Sequence, residues 1–305
     1  MLAKEVIHLG AMRLTSLSGE DARLEAEALL RTAWGLTRAQ LYARLSQEVP
    51  PATLDLFQAL LDRRLAHEPI SYLRGHKEFY GLEFRTDRRA LIPRPETERL
   101  VELALAVAHQ RQVGVTPPPT VREGAVMGTC PALALADVGT GCGCIAVVLA
   151  AHLPTAIVYA TDVSAAALDL ARENATLHGL ADRITFLQGN LLVPLPAPVD
   201  LIVANLPYVS AAELAELPPD IAAYEPLVAL DGGPDGLHHI RRLLTMAPAY
   251  LRPGGAVLLE IGWRQGEAVV ALAREHLPKA RVTLHQDYGG RDRVAHIELI
   301  KEPQI

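Results

Sequence analysis

The segment that most constrains this chain is an apolar run, Leu133 to Val138, that breaks into glycines at 139, 141 and 143. It then resumes as a second apolar stretch, Ile145 to His152. A short continuous apolar run bounded by turn residues predicts a strand buried on both faces, and the stretch after it predicts a helix. Glycines two apart let the backbone turn tightly and approach a ligand with no Cβ in the way. The pattern then repeats. Strands are predicted at 156–163, 183–187, 199–204 and 256–261, and helices at 165–178 (closed by Gly179), around 235–249 and near 266–276. Such alternation makes βαβ units, hence a mainly parallel sheet with helices on both faces. The final strands, 281–287 and 293–300, have only Gly289-Gly290-Arg291-Asp292 between them, so one of them must run antiparallel.

The turn itself narrows the ligand. The dinucleotide fingerprint is Gly-x-Gly-x-x-Gly. Here the third glycine falls one position early, and Cys144 stands where it belongs. No Gly-Lys-Ser/Thr of a phosphate-binding loop is present. Asp137 at the strand end suits a cationic ligand better than a pyrophosphate. The second strand ends in Asp162, about 20 residues on, where a carboxylate accepts ribose hydroxyls. The third ends in Gly189-Asn190, followed by Leu191. Asp137, Gly139, Thr140, Gly141, Cys142, Gly143, Asp162, Asn190 and Leu191 are therefore the candidate cofactor residues.

The fourth strand runs into Asn205-Leu206-Pro207-Tyr208. A planar amide or aryl amine is a poor nucleophile because its lone pair is delocalised. Two acceptors gripping its two N–H groups tilt the nitrogen towards tetrahedral geometry. The Asn205 side-chain oxygen and the Leu206 carbonyl are those acceptors in this reading. Pro207 stiffens the turn and has no competing N–H, and Tyr208 offers a flat face. Attack by such a nitrogen on an electrophile then rests on proximity and alignment.

The 305 residues predict about two domains. A net charge of −6 and 5% aromatic residues speak against a nucleic-acid-binding surface. Three cysteines are too few for a disulfide scaffold or, without paired histidines, for a metal site; none is predicted. Met1 to Gly10 has no apolar signal core, and the longest apolar run is far short of the ~20 residues that span a bilayer. The chain reads as soluble and cytoplasmic, with no membrane partner.

Residues 1–73 predict a helical, substrate-binding domain. Ser18 with Asp21 is read as a capping box ahead of a helix carrying Ala22, Ala26, Leu29, Leu30 and Ala33 and closed by Gly35. Thr37 with Gln40 repeats the box. Pro51 opens a third helix, with Leu54, Phe57, Leu61 and Leu65 on one stripe. Residues 74–95 read as a β-hairpin or extended connector, with Pro93 and Pro95 stiffening its end. Residues 96–305 form the catalytic domain, with a helix from Thr97 to Gln110. Within it, 112–131 is a flexible Pro-rich surface insertion with no chemistry.

The loop, Asp162 and the strand order together resemble the class I S-adenosylmethionine-dependent methyltransferases. That resemblance implies an α/β fold with a seven-stranded, mainly parallel sheet and a reversed last strand. Asn205 to Tyr208 resembles the Asn-Pro-Pro-Tyr motif of amide and amine methyltransferases, with Leu206 in place of a proline. The same string is similar to that of ribosomal RNA adenine dimethyltransferases. Three further stretches, Glu68 to Gly75, Lys77 to Gly81 and above all Ile92-Pro93-Arg94-Pro95-Glu96-Thr97-Glu98, look like the HemK/PrmC family. Tyr224-Glu225-Pro226, Ala229 to Leu237, Leu251 to Gly255, Leu259-Glu260-Ile261-Gly262 and Gly290 to Arg293 match it too. The resemblance implies methylation of the glutamine amide in the Gly-Gly-Gln motif of class 1 release factors, with S-adenosylmethionine as donor and no direct nucleic-acid partner. It places Asn205, Leu206, Pro207 and Tyr208 at the glutamine site and Gly139 to Gly143 and Asp162 at the cofactor. Arg94 either lines the substrate channel or pairs with Glu96 or Glu98. Competing readings are a glutamine methyltransferase of a ribosomal protein, an adenine methyltransferase on RNA or DNA, and a binding module without catalysis.

Overall fold

A computed structural model describes residues 1–113 and 132–300. Cys130 and nearly all of the stretch read as a Pro-rich insertion lie outside the described residues. The chain divides into two compact units, Met1–Lys77 with Thr86–Arg88 and Leu217–Glu225, and Glu78–Arg85 with Arg89–Glu216 and Pro226–Ile305.

The first unit holds α1 (Ala3–Ser18), α2 (Ala22–Trp34), α3 (Arg38–Ala43), α4 (Pro51–Leu65) and α5 (Ile70–Arg74). Ile7, Leu14, Leu29, Leu30, Leu41, Phe57 and Leu61 make its core. Gly35 closes α2 in the left-handed conformation, the Thr37–Gln40 box caps α3, and Pro51 starts α4, all as read. The Ser18–Asp21 box does not form. α1 runs through Ser18, and its hydroxyl donates to Glu25 at 2.6 Å. That carboxylate also takes a two-pronged contact from buried Arg64. A hydrogen bond to an ionised partner outcompetes a neutral cap. The segment Leu217–Glu225 joins this unit because the Tyr224 hydroxyl donates to the Ala66 carbonyl at 2.6 Å and its ring lies under Arg88.

The expected hairpin is β1 (His76–Phe79) and β2 (Leu82–Arg85). Tyr80 and Gly81 both have positive φ, the requirement of a two-residue type I′ turn. Phe79 and Phe84 pack edge to face across it.

In the second unit α6 (Pro95–Val113) begins two residues earlier than read, because Pro95 takes the first helical position, where a missing N–H costs nothing. Then follow β3 (Ala134–Val138), α7 (Cys144–His152), β4 (Ile157–Asp162), α8 (Ala165–Leu177), β5 (Ile184–Gln188), β6 (Val199–Ala204), α9 (His238–Tyr250), β7 (Leu251–Glu260), α10 (Gly266–His276), β8 (Ala280–Gln286) and β9 (Asp292–Leu299). The sheet has seven strands in the order β5-β4-β3-β6-β7-β9-β8. β9 alone is antiparallel to its neighbours. β7 starts five residues before its predicted start. A register irregularity opposite Val199–Leu201 absorbs Pro253-Gly254-Gly255 at the strand's beginning.

Alternation along the strands sorts two apolar layers. Leu135, Leu201, Val203, Ala256 and Leu258 face α6 and α7, whereas Ala136, Ile202, Val257 and Leu259 face α9 and α10. By the same parity Asp137 and Glu260 belong to the α6 side. The chain works outward through β3, β4 and β5, then returns to place β6 on the other side of β3. Open α/β sheets bind ligands at that switch point, outside the carboxyl ends of the strands.

Candidate active site

A cavity of about 160 Å³ lies there. Gly139, Thr140, Gly141, Cys142, Asp162, Asn190, Leu191, Asn205, Leu206, Pro207 and Arg94 all line it. Asp137, Gly143 and Tyr208 do not.

Asp137 is fully buried and works behind the glycine turn. Its Oδ2 accepts from the Thr140 hydroxyl at 2.6 Å and from the Ala146 N–H at 3.0 Å, tying the turn to the first residues of α7. Its Oδ1 has no hydrogen-bond partner among the described residues. Burial pushes this carboxyl up to about 7, against the two hydrogen bonds that hold it down. On β4, Asp162 accepts from Gly141 N–H and Ser164 N–H, both at 2.9 Å. Burial raises its carboxyl, while those backbone donors favour the charged form. Two carboxylate oxygens offer about four acceptor directions, so capacity remains for hydroxyls in the cavity. Leu191 holds a left-handed φ of 51°, and its carbonyl accepts from the buried Thr161 hydroxyl at 2.9 Å. A non-glycine residue kept in that conformation at a ligand cavity stores local strain that its surroundings must enforce.

Cys142 and Cys144 are free and buried. The hydrogen bond with Cys142, and then burial, push the Cys144 thiol well up, so it stays protonated. Among the described residues no cluster of His, Cys, Asp and Glu is arranged to hold a metal ion, and no helix is long and apolar enough to cross a membrane.

At the acceptor loop, Asn205 Nδ2 donates to Thr97 Oγ1 at 3.0 Å. Thr97 in turn donates to Glu260 Oε2 at 2.7 Å, and the Tyr208 hydroxyl donates to Glu260 Oε1 at 3.3 Å. Tyr208 therefore anchors the loop through its hydroxyl, and its ring packs against the α9 layer rather than facing the cavity. Burial, with Glu260 close by, pushes its phenol up. Leu206 is buried over Gly139, with Cδ2 3.2 Å from where a Cβ on that glycine would stand. The downstream glycine motif holds this loop from behind. The Val209 N–H donates to the Leu230 carbonyl and the Gly232 N–H to the Val209 carbonyl, and a Cβ on Gly236, whose φ is +74°, would collide with the Tyr208 carbonyl. Only glycine fits there.

Arg94 lines the cavity, and Glu98 accepts from the Tyr80 N–H at 3.0 Å. Thr97, which lines the cavity and joins Asn205 to Glu260, carries no site signal in the sequence, and three further residues escaped the sequence reading. Asn174, fully buried on α8, donates to the Cys142 carbonyl at 2.9 Å and accepts from the Arg85 N–H at 2.7 Å, clamping the glycine turn to β2. His239 lines the cavity from the first turn of α9. Glu260 is the third, and its signal was a lone carboxylate at the end of the apolar run Ala256 to Ile261.

Comparison with known proteins agrees with this geometry. Residues 5–75 match the family model of the PrmC N-terminal domain, and residues 127–217 that of the methyltransferase small domain. The chain is 45% identical to the release factor glutamine methyltransferase of Moorella thermoacetica, over 96% of this chain and 97% of that one. It is 39% identical to the protein of the same name from Cereibacter sphaeroides, over 98% and 99%. Among solved structures, the hMettl16 catalytic domain in complex with an RNA hairpin superposes with a TM-score of 0.52 at 17% identity, covering 73% of this chain and 77% of that one, which bears on fold alone. A seven-stranded methyltransferase sheet, a helical N-terminal unit of the matching family and near full-length identity leave one assignment: the chain is a methyltransferase belonging to the release factor glutamine methyltransferase family.

Proposed function

We propose that the protein transfers a methyl group from S-adenosylmethionine to the side-chain amide nitrogen of the glutamine in the Gly-Gly-Gln motif of class 1 release factors. The observation that carries this reading is one cavity lined by the glycine turn, by Asp162 and by Asn205, whose amide nitrogen is already engaged by Thr97. S-adenosylmethionine supplies a methyl on a sulfonium, and its C–S bond breaks as the N–C bond forms. The residues present fit that ligand. Asp162 would take the ribose hydroxyls, the turn from Gly139 to Gly143 gives close backbone approach, and Asn190 and Leu191 would flank the adenine.

Asn205 Oδ1 and the Leu206 carbonyl accept the two N–H groups of the glutamine amide and aim its nitrogen. Leu206 differs from the common proline in its backbone N–H and in a side chain that packs over Gly139, and both residues carry the same backbone carbonyl, so the carbonyl role survives. Pro207 fixes the backbone between them, and Tyr208 holds the loop to Glu260. Arg94 contributes a cation to the wall that the peptide passes. No strong base is required, because the methylated amide sheds its proton to water.

The test incubates the purified protein with methyl-labelled S-adenosylmethionine and, separately, a recombinant release factor, ribosomal subunits and DNA. Label on the release factor, lost when the Gly-Gly-Gln glutamine is changed to alanine, is expected. Label on a ribosomal protein or on nucleic acid, with none on the release factor, overturns the proposal. Asp162→Ala is expected to weaken S-adenosylmethionine binding about tenfold to a hundredfold by calorimetry, the worth of a hydrogen bond to a charged group. Far-ultraviolet circular dichroism should remain that of the wild type.

A further inference from the structure

We propose that Thr97 and Glu260 are positioning residues that set which end of the Asn205 amide faces the methyl acceptor. This deepens the function proposed above and rests on it. An asparagine amide presents an acceptor oxygen at one end and a two-proton donor at the other, and the two ends have nearly the same shape. Only the oxygen end can grip a glutamine N–H. Turning the amide over would aim a donor at a donor. Something must therefore choose.

The choice follows from counting protons. An ionised carboxylate only accepts, and a threonine hydroxyl has one proton. Glu260 Oε2 takes the Thr97 proton at 2.7 Å, and Oε1 takes that of Tyr208. Thr97 Oγ1 is then left with lone pairs alone, so it must meet a donor, and Asn205 Nδ2 supplies it at 3.0 Å. Oδ1 is the end left over, and among the described residues nothing donates to it. Both Thr97 and Glu260 are buried, at 2% and 1% exposure, so water does not compete for these bonds.

Three charged or titratable side chains and one hydroxyl define the setting of Glu260. Thr97 and Glu96 face it from the start of α6, Tyr208 from the loop after β6 and Arg293 from β9. Burial pushes the Glu260 carboxyl up to about 7, with Glu96 adding to the rise and Thr97, Arg293 and Tyr208 opposing it. Below that point Glu260 carries its own O–H and donates it to Thr97. The Thr97 proton is then released towards Asn205, and the amide turns its oxygen inward. The ionised form is the productive one, so the rate rises with pH.

Two measurements test this. With release factor as substrate and saturating cofactor, wild-type kcat is expected to rise about tenfold from pH 6 towards a plateau above pH 8, a single ionisation near 7. Glu260→Gln should lose that acid limb. Thr97→Val should cut kcat at least about tenfold, with cofactor affinity unchanged, and Thr97→Ser should recover most of the loss. The proposal is overturned if Thr97→Val loses cofactor affinity in step with kcat, or if Glu260→Gln keeps the wild-type pH profile. The second measurement needs no substrate. The side-chain NH₂ resonances of Asn205, assigned by their loss in Asn205→Ala, should titrate near pH 7 in the wild type and stay fixed in Glu260→Gln. A release factor left unmethylated by the wild type defeats the function reading, and the resonances then decide the relay alone. If they titrate equally in both proteins, the relay is wrong.

Discussion

Asn205→Ala is expected to lower kcat by about a thousandfold, the upper range for removing one preorganised polar group aimed at a reacting centre. Its cofactor dissociation constant is expected to change by less than about threefold, because an interaction made only with the reacting amide lowers kcat without touching cofactor binding. The structure supports that separation. Asn205 hydrogen-bonds Thr97, whereas Asp162 is held by Gly141 and Ser164. Single-turnover kinetics and calorimetry on the same preparation check both halves. A parallel loss of cofactor affinity would mean that the acceptor loop and the glycine turn behave as one structural element, and the division of roles would fail.

The second large effect is on stability. Gly143 caps α7 at φ +84°, and a Cβ there would come 2.9 Å from the Ala171 Cβ and 3.1 Å from its Cα. Both neighbours belong to α8, and backbone cannot swing aside as a long side chain can. Gly143→Ala therefore combines the left-handed penalty of about 1–2 kcal/mol with overpacking of about 1–3 kcal/mol, about 2–5 kcal/mol in all. Gly179→Ala is the control. Its φ is +68° with nothing within 4 Å of the added carbon, so only the conformational part applies. Urea titration should show both midpoints falling at unchanged slope, with Gly143→Ala falling clearly further. Equal shifts would remove the close approach of α7 and α8 from the account.

What could be read before the structure was local. Thr37 and Gln40 sit three apart and cap a helix whatever surrounds them, and Tyr80-Gly81 turns a hairpin because positive φ at two successive residues leaves few alternatives. The strand alternation likewise needs only burial on two faces. What could not be read was contact over distance. Thr97 and Glu260 are 163 residues apart, and Thr97 and Asn205 are 108 apart. Each looks ordinary in its own segment: a threonine in a helix's first turn, a glutamate ending a strand, an asparagine before a turn. Ser18 failed for the same reason. Its spacing to Asp21 suggested a cap, but Glu25, itself fixed by Arg64 from another helix, made a better partner. Tyr208 directly follows Asn205-Leu206-Pro207 in the sequence, yet the direction of its ring depends on β7 and on the 230–236 turn.

The position of β9 carries a consequence for how the molecule is made. The strand lies between β7 and β8, although the chain reaches it after both. Its seven pairings with β8 and five with β7 close the sheet on that side. Until residue 299 has been synthesised, β7 presents an open edge of unpaired amides beside its finished neighbours, a template for pairing with another chain. Assembly of this sheet thus requires β9 to be inserted between two earlier strands rather than added at an edge. Through Arg293, the same late strand also brings the cation that faces Glu260. A nascent chain stopped short of β9 would carry the whole glycine turn and acceptor loop, and still lack that cation.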